Sequence, residues 1–289
     1  MIIVDINQTM IANLMVQIGN HTNMELHEDL IRHMVLNALR SYKQMYPLER
    51  EMIIACDDKK YWRRQVFPAY KANRKKAREE SELDWNQIFT ILNKIRDELK
   101  AHSPYKVVMA PGAEADDVIG TLCIKYGSFI QSARTTEAIH ILSGDKDFGQ
   151  LQVYSNVHQF DPVRKKQIKT IDPYKYLREH ILKGDRGDGI PNIMSRDNCL
   201  MEGERQKSLP TKRIEYLSGF VDLSKVLPSD QYANFKRNEQ LIDLHMIPED
   251  ITTAILHEYD TQTPKDLEVF RQYLRDHKLK TLEERISEF

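Results

Sequence analysis

The chain has 289 residues, enough for one large domain or two small ones with a sizeable buried core. Its 42 basic and 43 acidic side chains leave a net charge of −1, so the overall balance names no partner and only the placement of charge can. No apolar run approaches membrane-spanning length, and Cys56, Cys123 and Cys199 lie far apart without a CxxC, which argues against a disulfide framework or thiolate zinc site and predicts buried thiols in a reducing compartment.

In chain order, Ile2 to Ile6 is a short continuous apolar run, as expected of a strand buried on both faces, interrupted by Asp5. Opening on a strand and not on a signal peptide, the chain is expected to be soluble and intracellular. Asn7 or Thr9 is placed to cap a following helix. A clearer helix is predicted from about Leu26 to Tyr46, with Ile31, Met34, Val35 and Ala38 at helical spacing. The apolar run after Glu51 predicts a second strand that stops at Asp57 and Asp58. A helix follows over Asp84 to His102, then a strand over Tyr105 to Ala110 leading into Glu114, and a fourth over Ala138 to Leu142 leading into Asp145. Val157–Phe160 and Gln167–Ile171 flank a basic turn, Pro162 to Lys166, and read as an antiparallel edge hairpin. Tyr174 to Lys183 is helical and stops at Gly184. The remainder reads as short charged helices broken at Pro210, Pro228, Pro248 and Pro264, with a boundary near residue 180.

This alternation predicts an α/β fold with a mostly parallel sheet flanked by helices, followed by a helical C-terminal region. Four strands in succession run into acids. Any one of these acids reads as a turn or cap former. In an open parallel sheet, however, the carboxyl ends of all strands lie on one side, where ligands bind. Asp5, Asp58, Glu114 with Asp116 and Asp117, and Asp145 with Asp147 are therefore expected to meet in one crevice. Hard oxygen ligands at that density suit Mg²⁺ or Mn²⁺. The segment from Tyr61 to Arg78 carries seven basic residues and no acid, with Tyr61, Trp62, Phe67 and Tyr70 interleaved. It follows the strand that ends at Asp58, so it is expected to overhang the crevice, its cations on phosphates and its aromatic faces on bases. Two divalent ions about 4 Å apart activate water and stabilise the leaving oxygen of a phosphodiester. Lys71 or Arg74 is placed to stabilise charge growing on the same phosphate.

Other readings fit less well. A phosphatase with an aspartate nucleophile needs a second Asp two residues after the first, and Asp5 is followed by Ile6 and Asn7. A calcium loop at Asp145–Asp147 lacks its third acidic ligand and distal Glu. His27, His33, His102, His140 and His158 show no metal-ligand spacing and receive no chemistry.

Taken together these residues resemble the flap endonuclease family of 5′-nucleases, and within it the T-even bacteriophage ribonuclease H branch. The resemblance runs through Val4-Asp5, Cys56-Asp57-Asp58-Lys59, Tyr61-Trp-Arg-Arg64, Tyr70-Lys-Ala-Asn-Arg74, Lys76-Ala-Arg-Glu-Glu80, Glu114-Ala-Asp-Asp117, Ser143-Gly-Asp-Lys-Asp-Phe148, Leu182-Lys-Gly-Asp185, Glu202-Gly-Glu-Arg205 and Ile286-Ser-Glu-Phe289. It implies a PIN-like α/β nuclease core over 1–180 with a helical arch at about 59–82, and a DNA-binding helical region over 181–289. It implies a Mg²⁺-dependent 5′-nuclease that removes RNA primers and 5′ flaps in phage replication. It implies a first metal site from Asp5, Asp58, Glu114, Asp116 and Asp145, with Asp58 preferred to Asp57, and a second from Asp117, Asp147, Asp185 and Asp188. Mn²⁺ is expected to substitute. Lys71 and Arg74 match the basic pair at the base of the arch, with Arg63, Arg64, Tyr70, Lys75, Lys76 and Arg78 as further nucleic-acid contacts. Expected partners are branched DNA, RNA–DNA hybrid, a single-stranded-DNA-binding protein and a sliding clamp, met by a monomer in the infected host's cytoplasm. The catalytically silent alternative is a structure-specific branched-DNA-binding protein. One departure stands out: after Gly184-Asp-Arg-Gly-Asp-Gly-Ile-Pro191 the glycine hairpin that binds a monovalent ion in cellular members is missing, and Lys207, Lys212 and Arg213 are candidates for duplex grip. Opening directly at its first strand, the chain is expected to lack an N-terminal tail that could serve as a clamp peptide.

Overall fold

The computed structural model describes residues 1–18, 27–81, 83–129 and 137–289, and at 13, 16–18 and 75–77 the backbone only. Strand β1 (Ile2–Asp5) runs without a loop into helix α1 (Ile6–Ile18), so the cap of α1 is Asp5, whose Oδ1 accepts from the Gln8 amide at 3.0 Å, and neither Asn7 nor Thr9. Helix α2 (Glu28–Met45) follows; its expected start at Leu26 lies outside the described residues. Then come β2 (Met52–Ala55), the short helices α3 (Trp62–Val66) and α4 (Ala72–Glu79), and α5 (Trp85–His102), capped by the Asp84 carboxylate on the Gln87 amide. Strand β3 (Lys106–Val108) leads to α6 (Ala115–Tyr126), and β4 (Ile139–Leu142) to a 3-10 turn over Lys146–Val153. The expected hairpin is present as β5 (Val157–Asp161) and the antiparallel edge strand β6 (Lys166–Ile168).

The sheet has the order β3-β2-β1-β4-β5-β6, parallel up to β5. The chain winds outward on both sides of β1, so the switch in direction falls between β1 and β4, and the crevice for a ligand opens at their carboxyl ends. Register is in step across the sheet: Ile2 faces Met52 on one side and His140 on the other. The ends of β1, β2 and β4, and with them Asp5, Asp57 and Asp145, therefore arrive at the same edge.

Alternation along the strands divides two cores. Ile2, Val4, Ile54, Val107 and Leu142 face α2 and α5, while Ile3, Ile53, Val108 and Ile141 face α6. Beyond β6 lie α7 (Pro173–Lys183), α8 (Thr211–Ser218), α9 (Ser229–Ile242), α10 (Glu249–Thr261) and α11 (Leu267–Asp276). Pro210, Pro228 and Pro248 precede helices at the cap position instead of breaking them. Phe270, Leu274 and Phe289 join the first core, and Ile251 and Ile255 the second. Ile181, Ile214 and Phe235 build a third core that also takes in Phe67 and Tyr70. Residues past 180 thus enter all three cores. Among the described residues no helix is long and apolar enough to cross a membrane.

Candidate active site

At the switch point lies a cleft of about 580 Å³ whose lining includes Asp5, Asp57, Asp58, Asp116, Asp145 and Asp188, with Lys71, Arg74 and Arg78. Of the carboxylates expected to converge, Asp5, Asp58, Asp116 and Asp145 line this cleft, and the acids in and around it fall into two sets. One set is neutralised by the protein. Glu114 is 1% exposed and accepts from Lys71 Nζ at 2.6 Å, Arg63 at 2.8 Å and Tyr70 at 3.0 Å. Burial works to raise its carboxyl, but the Lys71 and Arg63 charges outweigh burial and hold it below its ordinary value. Asp117 is fully buried: it pairs with Arg63 at 2.8 Å, accepts from the Trp62 indole at 3.1 Å, and closes a capping box with Glu114. Asp117 is thereby a structural carboxylate of α6 and not the metal ligand expected of it, and Glu114 is withdrawn behind Lys71. Asp188 faces the cleft, held by Arg74 at 2.5 Å and Tyr70 at 3.1 Å.

In the second set, Asp5, Asp57, Asp116 and Asp145 have no cationic side chain at ion-pair distance among the described residues. Burial, then the charges of Asp57 and Asp145, push the Asp5 carboxyl up from 3.8 to about 7, against the Gln8 amide. Burial, then Asp145, Glu114 and Asp5, raise Asp116 well above its ordinary value despite Lys71. Burial and Glu114 raise Asp57, although it accepts from the Ala115 amide and the Asn7 side chain. Oxygen donors crowded this way repel one another unless a cation joins them. That strain, and the all-oxygen donor set, fit a divalent ion. Within the pair after β2, the carboxylate that acts on Asp5 is Asp57. Asp58, chosen on sequence, instead accepts from the Gly112 amide at 2.8 Å and pins the turn ahead of α6. Both residues lie past the end of β2, and their bonds separate them: Asp57 is held toward Asp5 by the Ala115 amide and Asn7, while Asp58 turns to Gly112.

Further along the edge, Asp147, His180 and Asp185 each bring a ligand atom within 4.8 Å of the others. Burial, then the Asp145 charge, push Asp147 up to about 7 against the pull of His180. Burial opposes ionisation of Asp185, but hydrogen bonds from His180 and Lys146 win and hold it well below its ordinary value. His180 was missed on sequence because its partners are set by the turn at Gly184, whose φ of +67° suits glycine and whose added Cβ would meet the Ile190 carbonyl at 2.4 Å.

The basic segment is more buried than its composition suggests. Arg63 is 2% exposed, in ion pairs with Glu114 and Asp117, and donates to the Leu241 carbonyl; Trp62, Phe67 and Tyr70 are buried too. Arg63 and Tyr70 therefore hold the wall of the cleft and are not open to bases or phosphates. Trp62, Arg63, Phe67 and Tyr70 belong to the packed body, and of the expected arch Lys59, Tyr61, Lys71, Arg74 and Arg78 line the cleft, the last two from α4. Lys71, at φ +54°, donates its amide to the Asp188 carbonyl at 2.7 Å, which fixes its side chain between Glu114 and Asp188. Arg64 is exposed over the Tyr61 ring, and the Arg78 guanidinium lies 4.8 Å over Phe89. The side chains of Lys75 and Lys76 lie outside the described residues. Lys207, Lys212 and Arg213 are exposed and do not line the cleft. Three polar side chains that carry no sequence signal, Gln8, Asn93 and Arg96, also line it; Gln8 ties the start of α1 to the turn after β4 by accepting from the Gly144 amide at 2.6 Å.

Residues 7–180 match the family described as 5′-3′ exonuclease, N-terminal resolvase-like domain, and residues 175–289 match T4 RNase H, C terminal. The chain is 34% identical over 269 residues to the ribonuclease H of Enterobacteria phage T4, covering 90% of this chain and 86% of that protein. It is 32% identical over 205 residues to a 5′-3′ exonuclease of Buchnera aphidicola subsp. Acyrthosiphon pisum, covering 63% and 65%. The phage T5 D15 protein co-crystallized with metal ions shares the fold with a TM-score of 0.63 at 17% identity, over 89% of this chain and 98% of that one. The chain belongs to the 5′-3′ exonuclease family, and its relatives are nucleases.

Proposed function

We propose that this member of the 5′-3′ exonuclease family is a Mg²⁺-dependent nuclease that removes RNA primers and 5′ flaps from lagging-strand fragments in phage DNA replication, by two-metal-ion hydrolysis. The observation that carries the reading is the unpaired set of carboxylates beside Lys71 and Arg74. Asp5, Asp57, Asp116 and Asp145 would hold the first ion, and Asp147, Asp185 and Asp188 the second. When bound, divalent ions supply Lewis-acid charge and activate water for attack on phosphorus. The chain's own residues do the positioning. Lys71 and Arg74 rest on Glu114 and Asp188 without substrate. A phosphate entering the cleft competes for both cations, which places two donors on the oxygens where charge develops. Arg64 and Arg78 follow the strand leading into the cleft by neutralising further phosphates.

Similarity to the T4 enzyme supports the phage setting: a monomer in the infected host's cytoplasm, acting on branched DNA and RNA–DNA hybrid beside a single-stranded-DNA-binding protein and a sliding clamp. The T5 D15 flap endonuclease, a fold relative with a TM-score of 0.59, has been crystallised with DNA and metal ions. End-labelled flap, nicked and RNA-primed substrates test the reading, each with Mg²⁺ and with EDTA. Labelled 5′ products that require Mg²⁺ are expected. Tight flap binding without product over long incubation would leave a branched-DNA-binding scaffold in its place.

A further inference from the structure

Asp147, His180 and Asp185 meet in a way that gives the histidine a defined tautomer. His180 is 7% exposed, and its Nε2 lies 3.2 Å from Asp185 Oδ2, which also accepts from Lys146 Nζ at 2.5 Å. An ionised carboxylate only accepts, so the proton of that hydrogen bond sits on Nε2. In the neutral ring Nδ1 is then the lone pair, free to bind a cation. Among the described residues Nδ1 has no hydrogen-bond partner, and neither does Asp147 Oδ1. The two orphaned atoms face each other at 3.6 Å. This is too long for a hydrogen bond. It suits two ligands of one ion, since bonds of about 2.1 Å to each atom give an angle of roughly 120° at the metal. A carboxylate that fixes an imidazole by its far nitrogen is the usual support of a metal-ligating histidine.

The geometry points to His180 Nδ1 as a direct ligand in the second cation site, shared with Asp147, with Asp185 on the far nitrogen orienting the imidazole in place of ligating the ion itself. The inference rests on the metal-dependent reading above and deepens it, because an imidazole changes which ion the site prefers. The cluster of Asp5, Asp57, Asp116 and Asp145 offers oxygen alone and suits Mg²⁺. A site with a nitrogen donor gains affinity along the series from Mn²⁺ to Co²⁺ and Zn²⁺ much more than for Mg²⁺. The two sites are thus chemically unequal, and the second is where Mn²⁺ outcompetes Mg²⁺.

Electron spin-echo spectroscopy of the full chain loaded with Mn²⁺ reads nitrogen bonded to the ion without reference to cleavage. Modulation from one ¹⁴N is expected, and it should vanish in His180→Gln. In calorimetric titration that variant should lose about 10-fold or more in Mn²⁺ affinity at one site and much less in Mg²⁺ affinity. If His180→Gln fails to fold, ¹⁵N-histidine NMR of the unsubstituted chain titrated with Zn²⁺ replaces it, the Nδ1 resonance of His180 being the one expected to shift. Bound Mn²⁺ without ¹⁴N modulation, or modulation unchanged in His180→Gln, overturns this inference and leaves the nuclease reading standing. A chain that binds no Mn²⁺ at all overturns both.

Discussion

Replacing Asp5 by asparagine should stabilise the metal-free protein while destroying its activity. The carboxyl of Asp5 rises from 3.8 to about 7, first because it is buried and then because Asp57 and Asp145 are near. At about 1.4 kcal/mol per pH unit, that rise amounts to at most about 4 kcal/mol of strain in the ionised state. A carboxyl raised on folding contributes its stability fully below the unfolded value near pH 4. It loses that contribution as pH climbs through about 7. The side-chain amide introduced by Asp5→Asn carries no charge, keeps its oxygen on the Gln8 backbone amide, and turns its nitrogen to donate to the Ser143 hydroxyl, whose own proton goes to Gln8. In EDTA, Asp5→Asn should therefore equal the parent at pH 4 and exceed it at pH 8, by several degrees in Tm at about 2–4 °C per kcal/mol. With Mg²⁺ the order should invert, because the parent gains binding energy that the variant lacks. Thermal unfolding across pH, with EDTA and with Mg²⁺, reads both effects. A variant less stable than the parent in EDTA at every pH would refute the claim that this cluster is strained.

Three further outcomes follow from the contacts around the cleft. Asp57→Asn should lower flap cleavage about 100-fold or more, and Asp58→Asn less than about 10-fold, because only Asp57 faces Asp5; equal losses in a side-by-side rate assay would reverse that assignment. Arg63→Ala leaves Asp117 buried without its cation and Glu114 with Lys71 alone, and should cost about 3–5 kcal/mol in urea unfolding, whereas Arg64→Ala should leave stability alone and flatten the salt dependence of DNA binding. Gly184→Ala, with φ at +67° and its new Cβ against the Ile190 carbonyl, should lower Tm by at least several degrees and weaken Mn²⁺ binding by shifting Asp185, both measurable in one set of melts.

Much of the fold was legible because its strands are buried on both faces and so read as apolar runs: Ile2 to Val4 and Met52 to Ala55 unbroken, and Ile139 to Leu142 interrupted by His140 alone. The meeting of the acids was legible too, since parallel strands must deliver their ends to one edge. What sequence could not decide was the direction of individual side chains. Asp57 and Asp58 follow β2 side by side, and only their tertiary partners, Ala115 and Asn7 for one and Gly112 for the other, tell them apart. Arg63 and Tyr70 look like nucleic-acid contacts until tertiary packing sets them against Glu114, which is 51 positions away from Arg63. Asp117 was the avoidable miss, because its spacing three residues after Glu114 at a helix start is itself a capping-box signal. His180 left no such signal, as its contact with Asp185 runs around the Gly184 turn.

Diffraction at the manganese absorption edge, from crystals of the unsubstituted chain grown with Mn²⁺, addresses the shared premise of all these outcomes. Anomalous density bonded to the carboxylates of Asp5, Asp57, Asp116 and Asp145 is the predicted result. Fully ordered carboxylates at the switch point with no ion among them, in crystals where Mn²⁺ binds elsewhere, would contradict it.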